Sequence, residues 1–414
     1  MPITSSPTTE ALAASDTYVH TSGCLLCHQN TTVEFLNLGS QPLANKYPRE
    51  TDFATEDFVP LQVMFCTNCK NVQLSNLVSR SRMFEDYYYL SSVNPGLVRH
   101  FNALAEKIKT AQFVVDIGSN DGILLKPLKD LGIKALGVDP SINVSKIAND
   151  AGLPTITAFF DIPTAEQIKA NWGQPDVVVA SSIFTHLEDP HQFIDAVKIL
   201  MTDSGSFIIE VEYIGNILKD IQFERFYLDR MFYYSLTSLR DLCALHDMVI
   251  TDVEEIEPHG GSLRVTIKNR LGDPEISGRV THMLQTEADT FTPPRLQQFK
   301  STVDGSIAAL RNKLIEYKNA GLRVAGYGCP ARVTTITNYG QIGPDLIEYI
   351  IDDSPLKQHK FSPGMHIPIF PNEHLGEQQV DVLVVFAYEY FTDIKQKTGG
   401  AYRYLIPIPP REVA

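Results

Sequence analysis

The run Val114-Val115-Asp116-Ile117-Gly118-Ser119-Asn120-Asp121-Gly122 carries an apolar stretch straight into a turn bounded by two glycines. Residues 113–117 read as a strand buried on both faces and the residues after Gly122 as a helix, so the turn lies at the carboxyl end of a strand. A second apolar stretch, 135–138, leads into Gly137-Val138-Asp139-Pro140-Ser141 and again ends on an acidic residue. A helix is expected over 98–110, and further strands at 177–180 and 206–210, each separated by a helix-length segment. Strands alternating with helices make a parallel sheet with helices packed on it, an α/β fold.

The chemistry of the turn narrows its ligand. A dinucleotide puts a pyrophosphate at the helix N-terminus and calls for G-x-G-x-x-G without carboxylates close by. Here the spacing is G-x-x-x-G, and Asp116 and Asp121 flank the turn. Two carboxylates repel a pyrophosphate and suit a ligand that carries a sulfonium and an ammonium, S-adenosylmethionine (SAM). Gly118 and Gly122 allow close approach to the backbone, and Asp139 can accept both hydroxyls of a ribose. Asp116, Gly118, Asn120, Asp121, Gly122, Asp139 and Ser181 form the candidate cofactor set of a class I SAM-methyltransferase, Rossmann-like domain. Ser182 and Phe184 follow Ser181 where such folds place residues near the transferable methyl.

Working outward, 261–269 reads as a late strand, and Pro293-Pro294 opens a helix expected over 296–320. Strands at 323–326, 346–351, 380–386 and 402–406 then indicate a second, C-terminal Rossmann-like α/β domain. Upstream, Cys24, Cys27, Cys66 and Cys69 form two C-x-x-C pairs in a segment of short apolar runs too small to stand without a staple. Two such knuckles suit one closed, tetrahedral, structural Zn²⁺. Cys243 and Cys329 have no comparable partners and read as buried small hydrophobes. The expected division is a zinc domain over 1–95, a methyltransferase domain over 96–300 and a substrate-binding domain over 301–414.

The 414 residues are 43% hydrophobic and 20% charged, enough to bury two or three cores. A net charge of -14 with no basic run argues against nucleic acid or an anionic membrane as partner. No apolar run approaches the roughly 20 residues of a membrane helix, and residues 1–22 lack the basic and apolar regions of a signal peptide. A cytoplasmic protein acting on a small molecule is expected, in keeping with unpaired thiols.

Several longer motifs resemble the bacterial C-methyltransferases that act on nucleotide-linked 4-keto-deoxysugars, over nearly the whole length. They are Leu38-Gly39 with Pro42-Leu43-Ala44-Asn45, Cys66 to Leu74, Tyr87-Tyr88-Tyr89-Leu90-Ser91-Ser92, the Gly118–Gly122 turn and Phe184-Thr185-His186. The others are His259-Gly260-Gly261-Ser262-Leu263-Arg264, Tyr327-Gly328 with Pro330-Ala331, and Ser354-Pro355-Leu356-Lys357-Gln358. The resemblance implies a zinc domain, a central SAM domain and a C-terminal domain that helps hold the nucleotide sugar, with Lys357 and the Tyr327-Gly328 turn near the nucleotide. Tyr89, Glu212, His259, Tyr327 and Lys357 are the candidate substrate-binding residues. Pro363-Gly364-Met365-His366 reads as a turn before a short strand.

One departure bears on the chemistry. The family carries a Tyr-His-Glu-His run that supplies the base for removing a proton beside the keto group, where this chain has Tyr227-Leu228-Asp229-Arg230. Carbon methylation needs an enolate or carbanion, and an arginine cannot accept the proton. Three readings follow: C-methylation with another base among His186, Tyr227, Asp229 and Glu212, with Arg230 stabilising an enolate or binding an acidic group; a different reaction on an acidic substrate; or an inactive relative that keeps the cofactor. The candidate catalytic set is His186, Tyr227, Asp229 and Arg230.

Overall fold

A computed structural model describes residues 17–79, 90–272, 274–377 and 379–413. Seven strands of the central part form one sheet: Phe113–Ile117, Lys134–Asp139, Thr155–Thr157, Val177–Ser181, Ser206–Glu212, Met248–Ile256 and Ser262–Asn269. Numbered in that order, they lie 3-2-1-4-5-7-6, and the seventh runs antiparallel to both of its neighbours. The first strand is buried at all five residues, four of them apolar and the fifth Asp116. Helices on the sheet begin where side chains cap them: Asn94 accepts from Gly96 and Leu97 ahead of Pro95–Lys107, and Asp161 accepts from Thr164 at the start of Ile162–Trp172.

The C-terminal sheet has strands Val324–Tyr327, Ile350–Ile351, Ile369–Phe370, Val382–Val385, Arg403–Ile406 and Arg411–Val413. Their order is 3-2-1-4-5-6, with only the last antiparallel, so the chain reverses direction across the sheet between the first and fourth strands. Crevices for ligands form at such a point, outside the carboxyl ends of the strands. The second strand is shorter than expected because residues 346–347 turn back onto Gly343.

The N-terminal sheet runs Phe232–Tyr233, Val72–Leu74, Phe58–Cys66, Thr32–Pro42, so a piece of the central segment completes it. Phe35 from this sheet meets Phe226 and Phe299 at ring separations of 6.2 and 6.3 Å, joining the zinc domain to the central run and to the helix Pro293–Asn319. The three parts therefore share one apolar core rather than hanging on linkers.

Candidate active site

The two cysteine knuckles are geometric copies. Cys24 and Cys66 each accept, through their carbonyls, from the residue after the second cysteine, His28 and Lys70, and both of those residues are left-handed. The four sulfurs lie within 4.8 Å of one another, with Sγ pairs at 3.6 Å (Cys24–Cys69) and 3.7 Å (Cys27–Cys66). A tetrahedral zinc with bonds of about 2.3 Å separates its sulfurs by about 3.8 Å, so the residues fit that ion. Beside the first knuckle, His191 binds the Leu26 carbonyl at 2.9 Å and His246 at 2.8 Å, which anchors the metal loop to the central domain.

The glycine turn and Asp139 form one cradle. Gly118, with φ +76°, donates to the Val138 carbonyl, while the Asp139 carboxylate accepts from the backbone of Asn120 and of Ser141, both at 2.9 Å. A side chain at Gly118 would sit 2.3 Å from Ile183, and one at Gly122 2.5 Å from Leu153. The space the two glycines leave is thus filled by neighbouring side chains, while their left-handed backbone shapes the loop. Asn120 and Asp121 hold Ser91 and Ser92 over the turn. Among the described residues, the second carboxylate oxygen of Asp121 and the Ser119 hydroxyl are buried without a hydrogen-bond partner, as expected of a loop that receives a polar ligand. Burial, with Asp139 and Glu210 nearby, pushes the Asp116 carboxyl well up. Ile142, one residue past Ser141, is 77% exposed, an apolar wall beside the cradle that sequence reading did not single out. Its signal was an isoleucine at the first turn of a helix that has no need of it for packing.

Ser181 donates to Glu210, which His100 and Arg264 also engage at 2.9 and 2.7 Å. Phe184 instead lies in the core, tilted against Tyr234. Just beyond it, His186 donates through Nδ1 to the backbone carbonyl of Asp229, and Met231 donates to the Thr185 carbonyl. Residues 185–186 and 229–231 therefore lie side by side. A carbonyl can only accept, so Nδ1 carries the proton and Nε2 the lone pair.

The divergent run is built around a buried ion pair. Arg230 pairs with Glu212 and lies over the Tyr227 ring at 4.8 Å, and Glu212 also faces Arg225 at 3.7 Å. Burial alone would pull the Arg230 guanidinium down, yet Glu212, Tyr227 and Tyr233 hold it above its ordinary value. Its Nε is buried and meets no hydrogen-bond partner among the described residues. Asp229 is pushed up by burial and drawn back by the amide of Asn45, at 2.6 Å, and by Arg230. Leu228 is 1% exposed and belongs to the core, and Asp229 is buried too, so only Tyr227 and Arg230 of the run are partly exposed.

The C-terminal domain repeats the acidic cradle. Gly328, with φ +79°, donates to the Ile351 carbonyl, and Asp352 accepts from the backbone of Cys329 at 2.7 Å and of Ser354 at 2.9 Å. Lys357 reaches the Cys329 carbonyl at 3.0 Å and Asp352 at 3.4 Å. Tyr327 packs into the C-terminal core with its hydroxyl donating to Asn372, so its backbone, rather than its ring, borders this cradle. Glu389 bridges Arg225 and Arg332 at 2.9 and 2.7 Å and ties the two domains together. Tyr89 and the side chain of His259 lie outside the described residues; the backbone of His259 is in the turn Pro258–Gly260, whose Gly260 packs against Arg225.

Three family models match in chain order: a zinc binding domain over 24–84, a methyltransferase domain over 89–252 and the C-methyltransferase C-terminal domain over 257–409. The C-methyltransferase NovU of Streptomyces niveus is 29% identical over 405 residues, 94% of this chain and 96% of that one. An uncharacterized methyltransferase of Staphylococcus carnosus is 29% identical over 163 residues, 35% of this chain and 74% of its own. The solved CcbJ methyltransferase of Streptomyces caelestis superposes on 44% of this chain and 100% of its own, with 12% identity and a TM-score of 0.35. Four gathered thiolates, an acidic glycine cradle and these three matches in this order make the chain a SAM-dependent methyltransferase that is similar over nearly its whole length to a C-methyltransferase.

Proposed function

We propose that the chain methylates a carbon beside the keto group of a nucleotide-linked deoxysugar, with His186 as the base that replaces the absent histidines. The observation that carries this reading is the bond from His186 to the Asp229 carbonyl, which leaves Nε2 as the proton acceptor. Bound SAM supplies an electrophilic methyl group. His186 takes the proton next to the carbonyl, and Arg230, oriented by Glu212 and Tyr227, donates to the oxygen on which negative charge develops. That role suits a guanidinium with an uncommitted Nε, and it leaves no need for Arg230 to accept a proton.

On this reading Asp139 would hold the hydroxyls of the SAM ribose, Asp121 its ammonium group and Ile142 its adenine. The Asp352 cradle with Lys357 takes the nucleotide of the sugar, supported by its likeness to the Asp139 cradle in both backbone bonds and glycine conformation. The working division is 1–95, 96–300 and 301–414, with Phe232–Tyr233 crossing into the first sheet. Four zinc thiolates suit a reducing compartment, the cytoplasm, and no described helix is long and apolar enough to cross a membrane.

The test is a mass-spectrometric screen of the purified protein with SAM against nucleotide 4-keto-deoxysugars and acidic natural-product precursors. A gain of one methyl on a keto sugar, abolished by His186→Gln, is expected. Methylation of an acidic precursor alone would favour the other reaction class, and full turnover by His186→Gln would remove His186 as the base.

A further inference from the structure

The segment 43–48 leaves the strand Thr32–Pro42 of the zinc domain and runs between the other two domains. Its backbone and side chains fasten it on alternate sides. The Ala44 carbonyl accepts from Thr334, the Tyr47 hydroxyl donates to the Cys329 carbonyl at 2.7 Å, and the Pro48 carbonyl accepts from Phe361 at 3.0 Å, all in the C-terminal domain. Lys357 lies over the Tyr47 ring at 5.3 Å. Between these anchors Asn45 turns the other way, and its amide donates to the Asp229 carboxylate at 2.6 Å.

We propose that Asn45 is a positioning residue through which the zinc domain aligns the proton-accepting histidine: its amide holds the Asp229 side chain, and the Asp229 carbonyl in turn holds His186. The inference rests on the reading of His186 as base.

Two physical features make the link more than a surface contact. Asp229 is buried, 4% exposed, so an unheld carboxylate there would be strongly disfavoured, and Asn45 is the neutral donor that meets it. Asn45 is itself fixed by anchors at Ala44 and Tyr47, one and two residues away, so its amide cannot swing clear without loosening the strap. The Pro42-Leu43-Ala44-Asn45 motif thereby acquires a task at the cleft although its sequence position is in the metal-binding domain. Removal of the amide leaves burial, which favours the protonated acid, opposed only by Arg230 and by the backbone N–H of Asp229 itself.

The experiment follows solvent deuterium exchange into a nucleoside-diphosphate 4-keto-deoxyglucose by the full chain with S-adenosylhomocysteine bound, as a function of pH. Asn45→Leu should slow exchange about tenfold or more and add one proton to the steepness of the acid limb, with S-adenosylhomocysteine affinity within about twofold of wild type. Asn45→Gln, which keeps a donor, should restore most of the rate. A merely structural role would instead lower cofactor affinity and melting temperature together, without steepening the limb.

Unchanged rate and unchanged steepness in Asn45→Leu would overturn the proposal. Should that variant not fold, Asp229→Asn supplies the second arm, since an amide there cannot take up the extra proton. Its acid limb should be no steeper than wild type while its rate falls, and a wild-type rate would overturn the link. His186→Gln separates the two readings: full exchange in that variant sinks the base assignment, whereas the added proton in Asn45→Leu reports Asp229 whichever group is the base.

Discussion

Replacing Glu212 by Gln removes one charge and almost no volume, which isolates the electrostatics of the divergent run. Glu212 is 4% exposed on its side chain, Arg230 11% and Arg225 7%, so neither guanidinium can turn to water when its partner is neutralised. An exposed pair would be worth about 1 kcal/mol or less, but breaking a buried pair costs about 3–5 kcal/mol because a charge is stranded. The glutamine oxygen can still accept from Arg230, and Arg225 keeps Glu389 at 2.9 Å, so the lower figure of about 3 kcal/mol applies. At roughly 2–4 °C per kcal/mol for a domain of this size, the melting temperature should fall by about 6–12 °C. Thermal unfolding followed by circular dichroism at fixed scan rate reads this directly. Replacing both partners, Glu212→Gln with Arg230→Leu, should recover much of the loss. A fall of under about 2 °C for Glu212→Gln would mean that water reaches the pair, and the account of Arg230 as a desolvated, oriented cation would fail.

Asp139→Ala should weaken S-adenosylhomocysteine binding by about tenfold or more in calorimetry, since hydrogen bonds to a charged group are worth roughly 1.5–3 kcal/mol; unchanged affinity would remove Asp139 from the cofactor site. Elemental analysis should find about one zinc per chain, and Cys66→Ser should lower both zinc content and stability, whereas a metal-free protein of undiminished stability would contradict the knuckle assignment. Burial, with His246 and His28 close by, holds the His191 imidazole below its usual value. The folded state thus resists its charging, so stability should be full above the unfolded value of about 6.5 and decline as pH drops beneath it. Melting curves between neutral and mildly acid pH should show a shallower decline for His191→Gln, and an identical slope would show that His191 does not contribute.

Five of the seven strands of the central sheet could be read from the chain because they are short and mostly apolar, and 113–117 is assigned to the residue. The four cysteines were equally legible, since knuckle spacing alone demands a common centre. Met248–Ile256 does not read as a strand because the pairs Thr251-Asp252 and Glu254-Glu255 look like a polar surface segment until Ser262–Asn269 pairs with it. The pairing of Glu212 with Arg230 was invisible for another reason: it joins a strand end to a loop, and no periodicity relates the two. Asn45 is visible in the sequence only as part of a motif, because its partner is 184 positions away and in another domain. Glu212 illustrates the limit well, since the residue type was flagged for the site but its counter-ion could come only from the fold.

Carbon methylation of a keto sugar is decided by the position of the transferred methyl group. Carbon-13 NMR of the product formed from methyl-labelled SAM and a nucleotide 4-keto-deoxysugar should show the label bonded to the carbon adjacent to the carbonyl. A label on oxygen or nitrogen, or no transfer to any keto sugar while an acidic precursor is methylated, would contradict it.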